Sequence, residues 1–225
     1  MDGVFDLLLP QRCLVCDRSG AALCTACLGD LPRLGPPLCD RCGAPTAWPV
    51  RRCQECAGRR LAFARARAAV PYTLAVRRIV AAWKERGLRN LSRPAASLTA
   101  AVLERPAAAA VTFVPPDGDR SLWRGHHPAE RLAGELARRW ELPLAPLLGR
   151  TRTLGRQRGL DHAARRRNVA GAFEPLGRAP PRLVLVDDVY TTGATVNAAA
   201  SALRRAGARR IEVVTFARTI REGIG

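Results

Sequence analysis

Beyond residue 60 the apolar positions follow two rhythms. Residues 61–70 alternate alanine with leucine, phenylalanine and arginine before meeting Pro71, which predicts a strand. Over 74–86, Val76, Ile79, Val80 and Trp83 fall on one helical face, and Gly87 stands where a helix C-cap is expected. A second helix is predicted over 94–105, ending before Pro106. Residues 111–114 read as a buried strand running into Pro115 and Pro116. A helix begins at Pro128, a residue suited to the first helical position, with Leu132, Leu136 and Trp140 on one face. Short strands are expected at 144–148, 183–186 and 211–216, and a helix over 194–206 closes at Gly207. Strands alternating with helices give an α/β fold built on a parallel sheet flanked by helices.

The first sixty residues carry neither rhythm. Their regularity lies in eight cysteines, set as four Cys-x-x-Cys pairs: Cys13/Cys16, Cys24/Cys27, Cys39/Cys42 and Cys53/Cys56. A two-residue gap lets both thiolates of a pair reach one tetrahedral ion, so the four pairs read as two zinc sites of four cysteines each. Local pairing puts Cys13, Cys16, Cys24 and Cys27 on one ion and Cys39, Cys42, Cys53 and Cys56 on the other. An interleaved arrangement, first pair with third, has compatible spacing. Four cysteines per ion leave no place for a catalytic water, so the zinc is structural. A segment this short and this poor in large apolar side chains leans on its metal, whose binding supplies about 10–16 kcal/mol of folding free energy. The knuckles either act only as a folding staple or also touch nucleic acid or a partner. The expected division is a zinc-binding module at 1–60 and an α/β domain at 61–221, with metal removal unfolding the module and sparing the sheet.

The chain opens with no basic n-region, and its apolar run is too short for a signal peptide or a membrane span. No membrane insertion is expected, and a cytoplasmic, reducing location argues against disulfides. The formal charge is +18, and among the 37 basic residues Lys84 is the single lysine. That balance predicts attraction to phosphate-bearing partners, weakening with salt. Lysine offers a compact charge that arginine does not reproduce. Lys84 is thus either a phosphate contact or a cation favoured by the end of its helix.

The densest chemistry lies at 183–195, Leu-Val-Leu-Val-Asp-Asp-Val-Tyr-Thr-Thr-Gly-Ala-Thr. Two acids are expected to end a buried strand, at the carboxyl edge where open α/β sheets bind ligands. The turn into the next helix offers backbone N–H groups to an anion, with the Thr191, Thr192 and Thr195 hydroxyls as further donors. Gly193 lets the backbone approach a phosphate closely, with Ala194 following it in the same turn. Asp187 and Asp188 can accept hydrogen bonds from ribose hydroxyls and orient a hydrated Mg2+. No G-x-x-x-x-G-K-[ST] or G-x-G-x-x-G is present, so NTP hydrolysis and dinucleotide binding lose their main support.

This segment resembles the phosphoribosyl-pyrophosphate (PRPP) motif of type I phosphoribosyltransferases, and the whole chain is similar to the ComF family, the ComFC-like competence proteins. The resemblance includes the cysteine pairs, Lys84 with Gly87, Arg124-Gly125, Arg150, and the set Gln157, Leu160, Arg165, Asn168 leading into Gly171-Ala172-Phe173. It implies a ligand that is PRPP or another phosphorylated ribose, held with Mg2+ by Asp187, Asp188, residues 191–195, Lys84, Arg124 and Gly125. It also implies a role with single-stranded DNA and the DNA-uptake machinery of natural competence. Where the family often places Asn or Asp after Arg-Gly-x, this chain has His127, a poorer N-cap, before Pro128. Between Arg150 and Asn168 seven arginines, Arg165, Arg166 and Arg167 among them, face one acid, Asp161. The corresponding phosphoribosyltransferase region is a flap closing over substrate; the same charges could track a DNA backbone or simply face solvent. Two functions follow: phosphoribosyl transfer from PRPP, or non-catalytic binding of nucleic acid or a regulatory ligand on the same fold.

Overall fold

The computed structural model of the protein describes residues 11–116, 126–151 and 171–220. In chain order its regular elements are α1 (Thr25–Asp30), β1 (Arg65–Pro71), α2 (Leu74–Glu85), a 3-10 turn at Arg89–Leu91, α3 (Ser92–Val102), β2 (Ala110–Phe113), α4 (Pro128–Trp140), β3 (Leu148–Arg150), β4 (Phe173–Pro175), β5 (Arg182–Tyr190), α5 (Ala194–Arg205) and β6 (Arg210–Arg218). A four-stranded parallel sheet runs β1-β6-β5-β2. Buried on both faces, its central strands read as continuous apolar runs, Leu183 to Val186 being the clearest.

Alternate residues of each strand face opposite layers. On one side Val111, Phe113, Val184, Val186, Val214 and Phe216 pack with α2, α3 and α4 through Ile79, Trp83, Leu98, Leu132 and Leu136. On the other, Leu183, Leu185, Ile211 and Val213 meet α5 through Val196, Ala199 and Leu203. The cysteine-rich segment joins both layers: Cys13, Leu23 and Leu31 belong to the first core, and Cys39, Cys42, Cys56 and Phe63 to the second. It also covers the β1 edge, where the Ala66 N–H donates to the Arg41 carbonyl and the Leu34 N–H to the Ala69 carbonyl. An edge so covered offers no template for a foreign strand.

Differences from the sequence expectation have local causes. The strand expected at 183–186 continues to Tyr190, because β6 pairs with it as far as Tyr190↔Arg218. Asp187 and Asp188 therefore lie inside β5 rather than at its end. The segment expected at 144–148 divides: Leu144 makes one parallel bridge to Val111, and Leu148 opens β3, which pairs antiparallel with β4. The helix expected at 94–105 starts at Ser92 and stops at Val102, where Leu103 turns extended. Among the described residues no helix is long and apolar enough to cross a membrane.

Candidate functional site

The eight cysteines gather as two local quartets, Cys13/Cys16/Cys24/Cys27 and Cys39/Cys42/Cys53/Cys56, with the sulfurs of each quartet within 4.8 Å of one another. The interleaved arrangement is not the one formed. Sulfur separations of 3.8 Å for Cys16–Cys24, 3.6 Å for Cys39–Cys56 and 3.4 Å for Cys42–Cys53 suit a tetrahedral ion. Zinc–thiolate bonds of about 2.3 Å put the sulfurs roughly 3.8 Å apart. Backbone N–H groups approach the sulfurs as well, Cys27 toward Cys24 at 3.4 Å and Cys53 toward Cys39 at 3.3 Å. Both quartets fit structural zinc.

A second constellation forms at the carboxyl end of the sheet. A cleft of about 350 Å3 is lined by Lys84, Pro115, His126, His127, Arg150, Asp187, Asp188, Thr191 and Thr195. The last turn of α2 carries Lys84 into it, and Lys84 Nζ lies 2.7 Å from Asp188 Oδ2. Asp188 is 6% exposed, and its backbone N–H donates to Asp187 Oδ1 at 2.9 Å. Arg150 donates through Nε to the Pro115 carbonyl at 3.3 Å, and its guanidinium carbon stands 4.9 Å from the Phe173 ring centre. Thr192, Gly193 and Ala194 complete the turn between β5 and α5. The first turn of a helix has N–H groups without intrahelical partners, and Gly193, the N-cap of α5, has no side chain to bond them. Arg124, Gly125, Gln157, Arg165, Arg166, Arg167 and Asn168 lie outside the described residues.

Charged groups crowd the cleft. Burial, reinforced by the neighbouring Asp188 charge, raises the Asp187 carboxyl to about 7 against the opposing pull of Lys84. Burial alone would lower the Lys84 ammonium, yet the field and hydrogen bond of Asp188 outweigh it and the net shift is upward. Asp187 and Asp188 share the cleft with Lys84 and Arg150; two adjacent carboxylates are the oxygen donors that a hydrated Mg2+ would take.

His127 performs the capping role that its residue type made doubtful. Its Nδ1 accepts from the Glu130 N–H at 3.4 Å, with Pro128 at the start of α4. An accepting Nδ1 requires an unprotonated nitrogen, and burial with nearby Lys84, His126 and Arg150 lowers the ring to about 4 despite Asp188. Its depressed value means that the stability it adds is fully present above the unfolded pKa near 6.5; that stability is lost as pH falls through about 4. The His127 ring resonances are expected to stay put between pH 7.5 and 5.5 by NMR, a range over which an ordinary histidine becomes about nine-tenths protonated. Ordinary titration there would mean that the cap is not held through Nδ1. His126 is set differently: its Nε2 donates to the Trp83 carbonyl at 2.7 Å, tying the residue before the α4 cap to α2.

Several residues around the turn carried no signal in the sequence. The Gly193 backbone has φ +73°, and a Cβ there would stand 2.2 Å from Tyr190 Oη. Tyr190 is buried, its ring edge-on to Phe63 with centroids 6.5 Å apart, and the Arg218 guanidinium carbon lies 5.1 Å from its centre. Arg218, 1% exposed, donates to the Cys42 carbonyl at 2.6 Å and pairs with Glu55 at 2.9 Å. Arg59 donates to the Thr192 carbonyl at 2.8 Å. Tyr190 stood within the conspicuous segment with no chemistry attached to it, and nothing set Arg59 or Arg218 apart from the other arginines.

Comparison with known proteins matches both halves of this architecture. Residues 4–57 match the double zinc ribbon domain and residues 129–223 the phosphoribosyl transferase domain. Competence protein F of Haemophilus influenzae is 28% identical over 208 residues, covering 87% of this chain and 90% of that protein. DNA utilization protein YhgH of Salmonella typhimurium is 28% identical over 233 residues, covering 95% and 100%. Among solved structures, the allosteric regulatory enzyme of purine biosynthesis superposes with a TM-score of 0.36 at 23% identity, over 57% of this chain and 25% of that one, too loosely to carry an argument. With a double zinc ribbon domain ahead of a phosphoribosyl transferase domain, the chain is similar over most of its length to competence protein F and to the DNA utilization protein YhgH.

Proposed function

We propose that the protein binds PRPP, or a closely related phosphorylated ribose, together with Mg2+, and that it does so in the cytoplasm in support of DNA uptake and the handling of single-stranded DNA. The observation that carries the ligand is one cleft joining Asp187, Asp188, Thr191 and Thr195 to Lys84 and Arg150 at the start of α5. The turn at 191–195 would receive the 5-phosphate on its N–H groups and threonine hydroxyls. Asp187 and Asp188 would hold the ribose diol and Mg2+, which neutralises pyrophosphate charge when bound. Lys84, now on Asp188, is placed to meet an anion entering the cleft. Arg124 and Gly125 are assigned to PRPP binding, and the arginines at 165–167 with Gln157 and Asn168 to a covering or nucleic-acid-contacting segment, by the family resemblance. The reading divides the chain into a zinc module at 1–60 and a ligand-binding domain at 61–221. The DNA role rests on the names of the relatives, a competence protein and a DNA utilization protein. The formal charge of +18 favours a second reading, in which the same fold binds nucleic acid or a regulatory ligand without catalysis.

Thermal unfolding with and without PRPP and Mg2+ tests the ligand. Ligand at about 100 times its dissociation constant adds roughly 2.7 kcal/mol, a rise of about 5–11 °C for a chain of this size. The rise is expected in the wild type, lost in Asp187→Asn/Asp188→Asn, and larger at pH 8 than at pH 6, because Asp187 must give up its proton near 7 to meet the metal. No rise at saturating ligand would remove PRPP and leave single-stranded DNA as the next ligand to try.

A further inference from the structure

The two cysteine quartets are not equivalent. Cys13, Cys27, Leu23 and Leu31 pack into the core shared with α2, α3 and α4. Among the described residues, the hydrogen bonds of the first quartet's segment stay local or reach Ala69 and Asn90. The second quartet is tied to the turn at 191–195 along two routes. In the first, Arg218 is held from both sides of the quartet, by the carbonyl of Cys42 and by Glu55, which lies between Cys53 and Cys56. Arg218 in turn lies against Tyr190, whose ring fills the space that a Cβ at 193 would need. In the second route, Arg59, three residues beyond Cys56, bonds the carbonyl of Thr192. The Ala62 N–H donates at 2.7 Å to Asn197 Oδ1, one turn into α5.

The first route is no loose surface contact, whereas the Arg59 bond lies at the surface. An arginine as buried as Arg218, with one carboxylate and one carbonyl as partners, has few alternative positions, because an unpaired buried charge is strongly disfavoured. Its place depends on the Cys39–Cys42 and Cys53–Cys56 knuckles closing on the same ion. The quartet's sulfur spacing fits zinc, so closure of the knuckles and placement of Arg218 belong to one event.

We propose that the second cysteine quartet, acting through Arg218 and Arg59, positions the 191–195 turn, so that metal occupancy of this quartet alone sets the affinity of the turn for a ribose phosphate. The ligand in that statement rests on the function proposed above; the mechanical coupling does not. Arg218 and Arg59 are positioning residues, since neither lines the cleft.

The test compares full-length, zinc-loaded wild type with Arg59→Ala, Arg59→Lys, Glu55→Gln, Cys53→Ser and Cys16→Ser. Zinc content, amide hydrogen exchange over residues 187–197 without ligand, and the dissociation constant for PRPP with Mg2+ are measured on each. Arg59→Ala and Glu55→Gln are expected to keep both zinc equivalents while exchange over 191–197 rises about tenfold, a change in local opening. PRPP binding weakens in parallel, and Arg59→Lys, which retains one donor, recovers part of both. Cys53→Ser loses one zinc and loosens the turn; Cys16→Ser loses one zinc and leaves exchange at 191–197 at the wild-type rate. Unchanged exchange in Arg59→Ala and Glu55→Gln overturns the proposal, as does a Cys16→Ser effect on the turn equal to that of Cys53→Ser. A wild type that binds no PRPP but shows the expected exchange pattern upholds the coupling and sinks the ligand assignment.

Discussion

Withdrawal of both zinc ions is expected to bring down the sheet together with the ribbon, although loss of the first quartet's ion alone leaves the 191–197 turn in place. Sequence alone points the other way, to a dispensable module at 1–60 beside a self-sufficient domain. Packing argues for the joint outcome. Cys13, Leu23 and Leu31 share a core with Trp83 and Ile79, and Cys39, Cys42 and Cys56 share the other with Phe63, Tyr190 and Val213. The ribbon also closes the β1 edge through Arg41 and Leu34. Structural zinc contributes about 10–16 kcal/mol, as much as the whole stability margin of an ordinary domain, about 5–15 kcal/mol. Losing it uncovers apolar surface on both faces of the sheet and strands the Arg218 charge. The measurement is circular dichroism and tryptophan emission followed against zinc release to a chromophoric chelator. Circular dichroism and tryptophan emission are expected to fall together, completing with release of the second equivalent. A sheet transition left unmoved after two equivalents of zinc have gone would restore the picture of independent parts.

Gly193→Ala is expected to cost both stability and ligand binding. At φ +73° an alanine loses about 1–2 kcal/mol to the left-handed backbone. Its Cβ would also lie 2.2 Å from Tyr190 Oη and 2.5 Å from Cζ. The ring cannot swing away, being set between Phe63 and Arg218, so overpacking adds roughly 1–3 kcal/mol. Together these lower the melting temperature by about 10 °C, and the displaced turn forfeits the stabilisation given by PRPP and Mg2+. Adding Tyr190→Phe removes the Oη contact but leaves the clash with the ring, so recovery is partial. Wild-type melting with a normal ligand shift would show that the turn tolerates a side chain facing Tyr190.

What could be read from residues alone follows from how local the responsible physics is. The face of α2 is set by Val76, Ile79, Val80 and Trp83, and the start of α4 by Pro128; both elements lie where the apolar rhythm puts them. Metal-ligand spacing made the quartets visible, but spacing did not decide between local and interleaved pairing, which the fold resolves as local. The true end of β5 depends on β6, which follows only after the whole of α5, and so apolar composition stopped the expected strand short of the acids. In the cleft, Lys84, Asp187, Asp188, Thr191 and Thr195 were legible because their residue types suit phosphate and diol chemistry. Tyr190, Arg59 and Arg218 were not, because a residue that holds another in place announces itself only through contacts between distant parts of the chain.

The pairing of Lys84 with Asp188 also bears on covalent regulation. The chain has one ε-amine, and it sits inside the cleft against a buried carboxylate. Acylating enzymes that act on lysine side chains elsewhere find many inconsequential targets on a protein surface; here their only address is the pocket itself. Acetylation at that nitrogen would erase its charge and leave Asp188 without its counter-ion, so in this protein lysine modification and occupancy of the cleft are competing claims on a single atom.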